Sequence, residues 1–302
     1  MTNIGGLDNL KDWIAKRGNA YSDEAKAYGL NTPRGVLLLG VPGCGKSLTA
    51  KAIANEWKFP LLRFDLGKVF GGIVGESERN IRYALDVAKT ISPCVLWIDE
   101  IEKGLSGSQS SGRTDGGTSA RVFGTFLTWM QEKKEPVFVV ATANDISSLP
   151  PELLRKGRFD EIFFVDLPSA KERENIFNIH LNHKNRNAKS LNLDMQKLVK
   201  ATEGFSGSEI EEVVNEALFN AYANGQKDLE QANLIECINS TSPLSRTMAE
   251  TIANLRKWAE QRARLASKEK PEEVKDLGED IPRLQQEYKN PFINRKNKDD
   301  KQ

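Results

Sequence analysis

Cysteine is scarce in this sequence. It occurs three times in 302 residues, at Cys44, Cys94 and Cys237. An odd number of widely spaced cysteines argues against a disulfide framework and points to a reducing compartment. Histidine occurs only twice, at His180 and His183. The two lie i, i+3 on a predicted helix without cysteine or acidic neighbours at ligand spacing, which weighs against a metal site there. No apolar run approaches the ~20 residues that a membrane-spanning helix needs. Met1 to Gly6 lack the basic and apolar stretches of a secretory signal. An excess of charge is missing too: 43 basic against 42 acidic side chains leave a net +1. That balance gives no global attraction to nucleic acid or an anionic membrane. A soluble intracellular protein is expected.

What the sequence does have is an alternation. Short apolar runs at Gly35–Leu39, Leu61–Phe64, Cys94–Ile98, Val137–Ala141 and Glu161–Val165 read as strands buried on both faces. Lys46–Trp57, Ser77–Thr90 and Ser119–Glu132 read as helices between them. The alternation predicts an α/β fold with a mostly parallel, five-stranded sheet and helices on both faces. Beyond Leu167-Pro168 the signals are helical only. Ala170–Leu181 is one helix. Ser206 and Glu209 frame a capping box. Ile210, Val213, Val214, Ala217 and Ala221 then recur at helical spacing. A further amphipathic helix is expected over Arg246–Ala266. Its apolar face, with Met248, Ile252, Leu255 and Ala259, needs a packing partner in this chain or a neighbour. The predicted organisation is a large α/β domain with its N-terminal segment over 1–167, a small helical domain over 168–242, and the amphipathic helix with a charged tail over 243–302. Gly104–Gly117 reads as a mobile loop, and Lys289–Gln302 as disordered.

Gly40-Val41-Pro42-Gly43-Cys44-Gly45-Lys46-Ser47 fits G-x-x-x-x-G-K-[ST] between a predicted strand and a predicted helix. Glycines let backbone N–H groups converge on phosphate oxygens, and the helix start adds partial positive charge. Lys46 is expected to reach the β- and γ-phosphates of ATP, and the Ser47 hydroxyl to bind Mg²⁺. An ordinary glycine-rich turn would not need the lysine, the hydroxyl or this context. Val95 to Ile98 lead to Asp99 and Glu100, two acids at the carboxyl end of a strand, where open α/β sheets bind ligands. Asp99 is expected to hold Mg²⁺ through water, and Glu100 to polarise the attacking water.

These residues, with several further stretches from Ile4 to about Tyr222, resemble the AAA family of ATPases. Ile4-Gly5-Gly6-Leu7 is similar to the family's linker, whose backbone touches adenine. Val139 to Asn144 resembles the strand ending in the sensor asparagine, which implies that Asn144 bonds the γ-phosphate or the lytic water. Gly204 to Ile210 is similar to the lid turn closing over adenine, which brings in Gly207 and Ser208. Leu48 follows the phosphate loop, and His180 falls where the family often carries a nucleotide-contacting histidine. Leu153 to Asp160 resembles the arginine-finger segment. The resemblance implies that Arg155 and Arg158 act on the ATP of the next subunit, in a nucleotide-dependent ring that is most often a hexamer.

Phe70 to Glu78 resembles the first pore loop, with Phe70, Ile73 and Val74 facing a polypeptide substrate. An aromatic usually precedes the Val74 position; Ile73 stands there and implies a weaker grip. Thr32 to Gly35, Phe70 to Glu76, Pro93 to Ile101 and Phe126 to Trp129 resemble, more narrowly, AAA proteins encoded in cyanobacterial and algal plastid genomes. Bacterial cytoplasm or plastid stroma is the implied location. Members commonly carry a domain before the Ile-Gly-Gly linker, where this sequence begins.

Cys44 replaces the family's usual threonine. A thiol at a helix start can have a lowered pKa, which admits redox control of ATP binding. The five tryptophans read as core or interface. The leading function is a Mg²⁺-dependent ATPase that remodels a protein partner. The alternatives are an ATP-switched assembly scaffold and a nucleic-acid-dependent motor, the last disfavoured by the neutral charge.

Overall fold

The computed structural model describes residues 4–66, 76–104, 116–155 and 157–271. Phe70, Ile73 and Val74, most of the Gly104–Gly117 loop and the tail from Lys289 lie outside these residues. Helices α1 (Asp8–Ala15) and α2 (Asp23–Ala27) lead into β1 (Gly35–Gly40). Then follow α3 (Lys46–Trp57), β2 (Leu61–Phe64), α4 (Glu76–Ile91), β3 (Cys94–Ile98), α5 (Gly116–Glu132), β4 (Val137–Ala143) and β5 (Glu161–Val165). Helices α6 (Ala170–His183), α7 (Met195–Ala201), α8 (Gly207–Ala223) and α9 (Gln231–Ser240) come next. The short α10 (Leu244–Thr247), α11 (Ala249–Arg262) and a two-residue strand β6 (Arg264–Leu265) end the described chain.

The strands form one sheet in the order β2-β3-β4-β1-β5-β6, and every pairing is parallel. Side chains alternate between its faces, as the pleat requires. Leu37, Leu39, Leu96, Ile98, Val139 and Ala141 pack under α4 and α5. Val36, Leu38, Val95, Trp97, Phe138 and Val140 pack under α1 and α3. Both faces are therefore dry, which is why the strands read as continuous apolar runs rather than alternating ones. Helices α6 to α9 enclose a core of their own around Phe177, Leu181, Ile210, Val214 and Leu234. The capping box at the start of α8 is present: Glu209 N donates to Ser206 Oγ at 3.3 Å, and Ser206 N donates to Glu209 Oε2 at 2.7 Å.

The sheet has six strands where the sequence predicted five. The predicted helix over Arg246–Ala266 stops at Arg262, and the chain then joins the edge of β5. Two residues are too few to show a periodicity, and only tertiary pairing makes them a strand. The apolar face of α11 packs within this chain. Leu255 and Ala259 join the core under α4 and α5, while Ile252 meets Val41 and Leu167. Among the described residues no helix is long and apolar enough to cross a membrane.

Candidate functional site

The chain passes from β1 to β2 across the positions that β3 and β4 later fill. Such a reversal of strand order opens a crevice at the carboxyl ends of the strands. Gly40 ends β1, Asp99 follows β3, Asn144 follows β4 and Asp166 follows β5. The loop from Gly40 enters α3 at Gly45, which has φ 86° and no capping side chain. Helices α6, α7 and α8 are capped by Ser169, Asp194 and Ser206. The first N–H groups of α3 have no such partner and face the crevice with the positive end of the helix. Gly43 has φ 74°, and a Cβ there would collide with the Ser208 hydroxyl. The missing side chain lets α8 rest on the loop, with Ser208 N donating to Gly43 O at 3.0 Å.

Lys46 is buried, and its Nζ donates to the carbonyls of Gly40 at 2.8 Å and Val41 at 2.7 Å. Burial lowers its pKa to about 8, against the opposing effect of Cys44, Glu102, Asp99 and Glu100. Asp99 Oδ1 accepts from Ser47 Oγ at 2.8 Å and from Thr142 Oγ1 at 2.7 Å. Thr142 Oγ1 in turn accepts the Glu100 N–H at 2.9 Å. Glu100 has φ 49°, unusual for a residue with a side chain. Asn144 Nδ2 donates to Glu100 Oε1 at 3.0 Å, and Lys103 pairs with Oε2 at 2.5 Å. Buried Glu102 accepts the Asn144 N–H at 2.9 Å. Burial raises the pKa of Glu102.

Lys46, Ser47, Asp99, Glu100, Thr142 and Asn144 line one cleft of about 550 Å³ between sheet and helical bundle. It brings together Ile4, Gly5, Pro42, Gly43, Cys44, Gly45, Lys46, Ser47, Leu48, Asp99, Glu100, Asn144, His180, Gly207 and Ser208. His180 Nδ1 lies 3.8 Å from Glu211, and burial lowers its pKa. Arg155 is not in the cleft; it lines a separate groove with Arg34, Lys133 and Trp258. Arg158 keeps Nη1 buried without a hydrogen-bond partner.

The thiol of Cys44 corrects an expectation. Burial pushes its pKa up to about 12, away from the reactive range. The Lys46 ammonium and a backbone hydrogen bond from Gly207 oppose this only in part, so the lowered pKa expected for the thiol is not found.

The cleft also contains Thr142, Asp166 and Glu172, which sequence reasoning passed over. Thr142 was visible only as a hydroxyl in an apolar strand. Glu172 was readable as the third helical position after the cap Ser169. That carboxylate does more than cap: its Oε1 accepts the Leu7 N–H at 3.0 Å, tying the N-terminal linker to α6.

Residues 36–167 match the family model described as "ATPase family associated with various cellular activities (AAA)", and residues 192–236 match the "AAA+ lid domain". Three relatives carry the name "Uncharacterized AAA domain-containing protein ycf46". The one from Trieres chinensis is 50% identical over 268 residues, covering 88% of this chain and 53% of the relative. The one from Guillardia theta is 51% identical over 268 residues, covering 88% and 52%. The one from Pyropia yezoensis is 52% identical over 265 residues, covering 87% and 53%. The chain thus spans about half the length of the curated relatives it matches. With a phosphate-loop fold, a helical lid and these matches to both parts, the chain belongs to the AAA family of ATPases.

Proposed function

We propose that this chain binds ATP with Mg²⁺ in the cleft and hydrolyses it between the copies of a ring, to remodel a protein partner. The observation that carries this reading is the bonded set Ser47, Asp99, Thr142, Glu100 and Asn144 beside an uncapped helix start. Ser47 Oγ and Asp99 Oδ1, 2.8 Å apart, are adjacent hard oxygen donors of the kind magnesium takes. A bound Mg²⁺ would offset negative charge on the β- and γ-phosphates. Lys46 and the N–H groups of the loop supply the remaining positive potential.

Glu100 orients a water in line with the γ-phosphorus. It takes the water's proton as the new P–O bond forms and the bond to ADP breaks. Asn144 holds that carboxylate in position. The linker at Ile4 and Gly5, His180, and Gly207-Ser208 enclose the base. Arg155 and Arg158 complete the site of a neighbouring copy, which agrees with the separation of Arg155 from its own cleft. Free Cys44, Cys94 and Cys237 suit a reducing compartment.

Lys46→Ala is expected to lose ATP binding, measured by calorimetry. Glu100→Gln is expected to bind ATP without releasing phosphate. Full turnover by Glu100→Gln would sink the catalytic assignment.

A further inference from the structure

The segment after the helical bundle contacts three places that line or adjoin the cleft: the phosphate loop, Asp166 and Glu172. Ile252 of α11 packs against Val41 and Leu167, with Cys44 at the edge of the same apolar cluster. Val41 belongs to the phosphate loop, and its carbonyl holds Lys46 Nζ at 2.7 Å. One turn along α11, Arg256 grips Asp166 with two nitrogens. Nε lies 2.9 Å from Oδ2, and Nη2 lies 3.0 Å from Oδ1. Asp166 lines the cleft where the chain leaves β5 for the helical bundle. Beyond α11, β6 pairs with β5, and Ala266 O accepts the Leu10 N–H at 3.1 Å. Ser267 Oγ then donates to Glu172 Oε1 at 2.6 Å, the oxygen that also accepts the linker's Leu7 N–H.

We propose that residues 249–267 are a built-in part of the nucleotide site: a strap, anchored by Ile252, Arg256 and Ser267, that holds the phosphate loop, the hinge at Asp166 and the N-terminal linker in the arrangement that takes ATP. This rests on the ATP reading above. Nucleotide binding and strap docking then stabilise each other, because linkage between two equilibria is reciprocal. A bidentate Arg–carboxylate pair fixes both distance and plane, so Arg256 sets the position of the Asp166 backbone rather than merely neutralising its charge. Arg256 and Ser267 are positioning residues. Anything that pulls the strap from the edge of β5 would weaken ATP binding without touching a residue of the phosphate loop.

The test uses the full chain and ATP. Arg256→Ala is expected to weaken ATP binding by about 10-fold in calorimetry, an ordinary size for coupling between sites. The KM for ATP should rise by a similar factor, while kcat at saturating ATP stays close to wild type. A purely structural role would lower stability and leave the affinity of the folded protein unchanged. ATP should also slow amide exchange across 252–267 in the wild type. If Arg256→Ala does not fold, Ser267→Ala decides by the same affinity measurement, since its hydroxyl touches only Glu172 among these anchors. Wild-type affinity in the variant that folds, with exchange across 252–267 insensitive to ATP, would overturn the strap. A wild-type chain that binds no ATP would overturn the proposed function and the strap together.

Discussion

Replacing Thr142 by valine keeps the shape of a residue that is 1% exposed and removes only its hydroxyl. That hydroxyl makes two bonds, donating to Asp99 Oδ1 at 2.7 Å and accepting the Glu100 N–H at 2.9 Å. The first engages a carboxylate and contributes about 1.5–3 kcal/mol, and the second about 1 kcal/mol. The same peptide carries Glu100 at φ 49°, a conformation costing about 1–2 kcal/mol for a residue with a Cβ. The Thr142 hydroxyl thus offsets the strain that aims the Glu100 carboxylate. Thr142→Val should lower stability by about 2–4 kcal/mol, read from urea unfolding. The freed backbone lets the carboxylate drift, and a misplacement near 1 Å costs about 10²-fold in rate. Phosphate release at saturating ATP should fall by that order. Thr142→Ser restores both bonds and should recover kcat, while losing about 1 kcal/mol of stability with the methyl group. A valine variant whose kcat stays within about threefold of wild type would refute the account.

Arg155→Ala should bind ATP normally but lose about 10³-fold or more in turnover, the scale of an arginine finger. Wild-type specific activity should rise with protein concentration as rings assemble; activity independent of concentration would refute catalysis in trans. Lys133 supplies a prediction about pH. Its Nζ donates to Val137 O at 2.5 Å, and burial lowers its pKa from 10.5 to about 8. The folded state then binds fewer protons than the unfolded chain between those values, so this group adds stability as pH rises through that window. Comparing urea midpoints at about pH 7.5 and about pH 10, Lys133→Met should lack this gain, which is on the order of 1 kcal/mol after solvent screening. An unchanged pH slope in the variant would count against the buried-charge argument.

The sequence by itself determined the strands β1, β3, β4 and β5, because a strand buried on both faces reads as a nearly continuous apolar run. It determined the phosphate loop and the capping box at Ser206, because both are local geometries written in consecutive residues. With the family resemblance it also brought forward many of the residues that line the cleft, though not Thr142, Asp166 or Glu172. The tertiary structure decided what lies between distant positions. Thr142 and Asp99 are 43 residues apart, and Asn9 bonds to Leu265 across 256. No sequence window contains such a pair, and a lone threonine or serine carries no periodicity that would announce it. Strand order, the sixth strand and the strap on the phosphate loop all depend on which surfaces meet after the sheet forms. The Cys44 thiol makes the same point in one residue. Its position at a helix start suggested a lowered pKa, but burial raises it, because taking the thiolate out of water outweighs the opposing pull of the Lys46 ammonium.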